Sequence, residues 1–83
     1  MELHETIRKM LSRKYEPSSL IVTRYDRYDI AIKTDRDGDP MVCLMGRKDE
    51  KGEVKGERFT RRLKQTANGK IIKDRWEHKG TTD

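Results

Sequence analysis

The sequence predicts an α+β fold in which an N-terminal amphipathic helix packs on a four- to five-stranded antiparallel meander, with a small curled β-barrel as the alternative. Three observations carry this reading. Apolar residues recur at helical spacing near the start, the period shortens to two after Leu20, and turn-forming clusters separate the later apolar runs.

The opening stretch "ELHETIRKMLSRKYE" sets Leu3, Ile7, Met10, Leu11 and Tyr15 on one helical stripe, with glutamates early and Arg/Lys late, as the helix dipole favours. Pro17 removes Glu16 from the helical region, and the serines after it favour a turn. In "YDIAIKT", Tyr28, Ile30 and Ile32 alternate with Asp29, Ala31 and Lys33, which marks a strand buried on one face. "SLIVTRY" supplies a strand before it, and a turn at "YDRY" is preferred over one long bent strand. The unbroken apolar run "PMVCLMG" predicts a central strand covered on both sides, with Pro40 tolerated only at its beginning. "RKDEKGEVKGE" reads as a long, solvated hairpin loop. Beyond it, "RFTRRLKQ" and "KIIKDRWEHK" flank Asn68-Gly69, a strong hairpin signal.

These elements make one domain over residues 1–79, with a mobile loop near 48–56 and a disordered tail at 80–83. Leu, Ile, Val and Phe number 15 of 83 residues, so the core is thin and a partner or second copy has room to complete it. Cys43 is the only cysteine, which excludes an intrachain disulfide. With no apolar run long enough to span a membrane and no secretory h-region, the expected compartment is cytoplasmic and no membrane partner is expected.

The segment "TDRDGDP" places Asp35, Asp37 and Asp39 at the first ligand positions of a calcium loop. Pro40 stands where that loop needs glycine and Gly46 where it needs glutamate, and strands flank it. A hairpin turn with Asp side chains bonded to local N–H groups is the expected structure, and no metal is predicted. His4, His78 and Cys43 lie on three separate elements, which argues against zinc. No nucleophile with a base, paired catalytic carboxylates or phosphate loop can be assembled, so the chain reads as non-enzymatic, without a cofactor.

Charge is the most informative feature. The net charge is +5, and residues 56–83 carry eight basic and four acidic side chains, most of the excess. A two-residue turn at Asn68-Gly69 opposes Lys64 to Lys73, Arg62 to Arg75, Thr60 to Glu77 and Arg58 to Lys79. Like charges directly opposed on a sheet destabilise it, by up to about 1 kcal/mol per pair. The other side presents Phe59, Leu63, Ile72 and Trp76 to the core, with Arg61 opposed to Trp76 and Asp74 to Leu63. The sequence therefore predicts a small binding module that meets RNA or DNA phosphates through Arg58, Arg62, Lys64, Lys73, Arg75 and Lys79. The alternative for this face is a solvated surface whose long side chains splay apart and protect the sheet edge. The alternative function is a protein-interaction or assembly subunit, including a homodimer, and "RYDRYD", with Tyr25 as the best exposed ring, suits a protein partner.

Overall fold

The computed structural model describes residues 3–82. One short helix, α1 (Glu5–Leu11), precedes five strands: β1 (Leu20–Tyr25), β2 (Tyr28–Thr34), β3 (Pro40–Lys48), β4 (Val54–Gln65) and β5 (Ile71–Thr81). They form one open antiparallel sheet in the order β1-β2-β3-β4-β5, so β3 is central, as its apolar run predicts. β1 and β5 do not pair, and the curled barrel is not formed. No helix among the described residues is long and apolar enough to cross a membrane.

The helix is shorter than its apolar stripe implies. His4 caps its start, with Nδ1 accepting from the Thr6 N–H at 3.1 Å. It ends at Ser12, whose N–H bonds the Lys9 carbonyl and whose hydroxyl bonds the Arg8 carbonyl at 2.9 Å. Tyr15, expected on the helix, lies outside it, because its N–H donates to the Gly38 carbonyl at 2.9 Å and its hydroxyl to the Met10 carbonyl at 2.7 Å. Docking to the β2–β3 turn outweighs helix propensity here.

Period-two patterning then separates the two sheet faces. One face carries Ile21, Tyr28, Ile30, Ile32, Cys43, Met45 and Phe59 and takes Leu3, Ile7 and Leu11 from the N-terminal segment, giving a single core. Residues 20–34 form a hairpin, turned at Asp26, whose φ of +56° an aspartate tolerates better than most residues.

The other three hairpins share one turn. In "DRDGD", "DEKGE" and "TANGK" the first residue donates its N–H to the carbonyl of the fifth, the glycine N–H returns to the first carbonyl, and the first side chain accepts from the fifth N–H. Gly38, Gly52 and Gly69 have φ of +84°, +84° and +85°, the left-handed residue of a three-residue hairpin loop with a bulge. Asp35 Oδ1 also accepts from the Asp37 N–H, so the aspartate segment is the expected turn. Its three carboxylates lie within 4.8 Å of one another, and Asp39 is paired with Lys14 at 3.2 Å.

Of the stretch expected as a loop at 48–56, Lys48 closes β3, a five-residue turn follows, and β4 already begins at Val54, which is 4% exposed. Burial of that one aliphatic draws the surrounding charged residues into the ladder. Gly46 pairs with Gly56, where a β-carbon on Gly46 would stand 1.9 Å from the Lys55 carbonyl oxygen. Only glycine permits this approach. The stretch expected as a tail includes the end of β5, with Thr81 opposite Glu57 and the Thr82 N–H on the Gly56 carbonyl at 2.7 Å; Asp83 lies outside the described residues.

Candidate nucleic-acid interface

The sheet face away from the helix holds the predicted cations. Registers run Leu20–Lys33–Val42–Thr60–Glu77 across all five strands, then Arg62–Arg75 and Lys64–Lys73 across the last two. The two like-charged pairs therefore oppose each other as the sequence implies, and all four side chains are exposed. The predicted Arg58–Lys79 pair is not formed. A bulge between Glu57 and Phe59 sets Phe59 against His78 and Glu57 against Thr81, and the His78 ring bonds Glu57 on the helix-side face.

The turn also differs from the expected two-residue loop. Thr66 pairs with Lys70, and a second bulge between Lys64 and Gln65 recovers the register beyond it. One consequence is a correction: Ile72, expected to face the core, is 56% exposed, and Ile71 beside it is 53% exposed. Phe59 is buried, and Trp76 packs against the core as predicted.

Glu77 alters the electrostatics of the basic face. Its carboxylate receives Arg62 Nε at 3.2 Å, Arg75 Nη2 at 2.7 Å and Lys79 Nζ at 3.3 Å. Hydrogen bonds from Arg75 and Lys79 hold its pKa down at about 2. One acid thus bridges three of the six predicted cations and relieves the Arg62–Arg75 repulsion. Arg58, Lys64 and Lys73 make no ion pair with a described residue. Six cations against one carboxylate leave this ribbon at +5.

Arg61 serves a different purpose. It forms a two-pronged bond to Asp74, Nε to Oδ1 at 2.7 Å and Nη2 to Oδ2 at 2.8 Å, while Nη1 reaches the Pro40 carbonyl at 3.2 Å. The bond holds the Asp74 carboxyl below its ordinary pKa and raises that of Arg61. The guanidinium also lies 6.0 Å from the ring of its register partner Trp76, a cation–π contact. This clamp ties the β4–β5 pair to the start of β3.

The same sheet face has an apolar half. Leu20, Val22, Ala31, Leu44 and Val54 form the apolar floor of a hollow of about 300 Å³ beside the cations, rimmed by Lys33, Glu53 and Lys55, with Leu20 59% and Val22 41% exposed. Tyr25, the ring expected to be exposed, is half-buried on the opposite face, 5.5 Å from His4. Tyr28, Phe59 and Trp76 also belong to the helix-side face, so the basic ribbon offers no stacking ring. Cys43 is fully buried, and burial pushes its thiol up to about 12, which suits packing and not nucleophilic chemistry. No family model matches the chain, and no curated protein or solved structure resembles it significantly.

Proposed function

We propose that the protein is a non-enzymatic module that binds nucleic acid through the phosphate backbone, using Arg58, Arg62, Lys64, Lys73, Arg75 and Lys79. The observation that carries this reading is the side-by-side register of Arg62 with Arg75 and Lys64 with Lys73 on an exposed ribbon. A fold gains nothing from opposing Lys64 to Lys73, which no described carboxylate bridges, and it needs Glu77 to offset Arg62 against Arg75. A polyanion does gain, because each phosphate neutralised releases condensed counterions. Glu77 keeps the arginines ordered in the free protein and yields them to phosphate.

The test is a titration with nucleic acid at several salt concentrations. Affinity should fall steeply with salt, and Arg62→Ala with Arg75→Ala should lower the slope of log K against log salt by about 2, on all sequences alike. Unchanged affinity and slope in that double variant would sink the proposal. A second reading is a protein-interaction subunit or homodimer, favoured by Leu20 and Val22 standing exposed on an edge strand beside the apolar hollow. Sedimentation that stays strictly monomeric over a wide concentration range removes the homodimer.

A further inference from the structure

We infer that the outer part of the β4–β5 hairpin is an arm that enters the major groove of duplex DNA, with Ile71 and Ile72 against thymine methyl groups. This rests on the nucleic-acid reading and adds the ligand's form, the groove and two contact residues.

The first ground is shape. The last β4 residue paired with β3 is Thr60, whereas residues 61–65 pair only with β5. Past Thr60 the sheet is therefore a two-stranded ribbon. Its five paired residues at about 3.3 Å each extend about 16 Å before the turn, farther than the major groove is deep, about 8.5 Å. Two strands about 4.8 Å apart, with side chains, fit a groove about 12 Å wide and not a minor groove about 6 Å wide. The Arg61–Asp74 clamp and the Arg61 bond to Pro40 fix the root of the arm.

The second ground is the order of chemistry along the arm. Arg62, Arg75, Lys64 and Lys73 lie on its stem, where the groove's flanking phosphates would stand. Ile71 pairs with Gln65 at the last position before the turn, and Ile72 sits at the adjacent bulge, both more than half exposed. Two aliphatic side chains this open to water beside the turn contribute little to the core, whereas Leu63 on the same arm is half-buried. On a groove floor the apolar feature available to them is the thymine methyl.

The third ground is exclusion of other forms. Single strands are gripped by stacking bases on rings, and this face has none. Duplex RNA has a deep, narrow major groove closed to side chains, and it lacks the methyl group.

The test uses the full chain with four probes: a short mixed-sequence DNA duplex, the same duplex with deoxyuridine in place of thymidine, the corresponding RNA duplex, and one DNA strand alone. Wild-type protein should prefer the thymidine duplex to all three others. Loss of each buried methyl should weaken binding by about fourfold, from the transfer free energy of one such group. Ile71→Ser with Ile72→Ser should abolish the thymidine–deoxyuridine difference and leave the salt slope as it was. Because both positions are exposed, the variant should keep the wild-type melting curve, which circular dichroism checks. Equal wild-type affinity for the two DNA duplexes, or a difference that survives in the isoleucine variant, overturns the groove inference. Salt-dependent binding that still responds to the Arg62/Arg75 substitutions would then leave the phosphate reading standing. Absence of salt-dependent binding to every probe overturns both.

Discussion

The β2–β3 and β4–β5 hairpins are closed by the same five-residue turn, yet one is built into the body of the protein and the other projects from it. At residues 35–39, the Gly38 carbonyl receives the Tyr15 N–H, Lys14 pairs with Asp39, and the Ser18 N–H bonds the Asp35 carbonyl at 2.8 Å. At residues 66–70 the backbone bonds are the same, but a β-carbon on Gly69 would meet nothing within 4 Å. Turn chemistry decides how a strand reverses. Whether the hairpin is packed or free depends on what the rest of the chain brings beside it, here the segment after the helix.

The largest effect separating the two regions should come from their apolar residues. Phe59→Ala empties a position 2% exposed in the core and should cost about 3–5 kcal/mol in urea unfolding. Ile72→Ser on the arm should stay within about 0.5 kcal/mol. Equal losses would mean that the arm is packed in solution.

The paired glycines sharpen the comparison. Gly69→Ala should cost about 1–2 kcal/mol, the penalty for a side chain in the left-handed conformation. Gly38→Ala carries that penalty and also sets a β-carbon 2.3 Å from the Tyr15 carbonyl oxygen, so its melting temperature should fall further. A reversal of that order would show that residues 14–16 are not docked on the turn.

Protection of backbone amides should follow the same division. Hydrogens at Ile30 and Cys43 should exchange only on global unfolding, and those at Lys64 and Lys73 through local opening of a two-stranded ribbon. Uniform protection would contradict the distinction.

The smallest effect is electrostatic. The folded pKa of Glu77 is about 2, against an ordinary 4.5, so its stabilisation is complete above about pH 4.5, declines as pH falls toward 2, and is absent below. Glu77→Gln should flatten that part of the melting temperature–pH curve, and the acid limb due to Asp74 should remain. The same substitution should raise affinity for nucleic acid, because Arg62, Arg75 and Lys79 lose their competing carboxylate. Weaker binding would mean that Glu77 is needed to orient the arginines.

Much of this layout was legible in the sequence. Alternation at Tyr28, Ile30 and Ile32 marks β2, and the run from Pro40 to Gly46 marks the central strand. The Asn68-Gly69 signal leads to the observed Arg62–Arg75 register although the turn holds three residues and not two. Asn68-Gly69 suits a two-residue loop as well as a three-residue one, and the extra residue at Ile72 restored the parity. The exposure of Ile72 was lost in that same step. The shared role of Glu77 was hidden because Thr60 is its register partner, and its three cations lie diagonally or two residues along the strand. Arg61 and Asp74 are likewise diagonal neighbours. The early stop of the helix depends on Gly38, far along the chain, and helical periodicity has no access to that contact.

The sealed position of Cys43 has a practical consequence. A thiol inaccessible to solvent and unwilling to ionise leaves the native chain silent toward maleimide dyes, so a single cysteine introduced at exposed Ala67 would be the one site labelled. A fluorophore there would ride on the hairpin tip and report its depth against a labelled oligonucleotide, without rebuilding the interior of the protein.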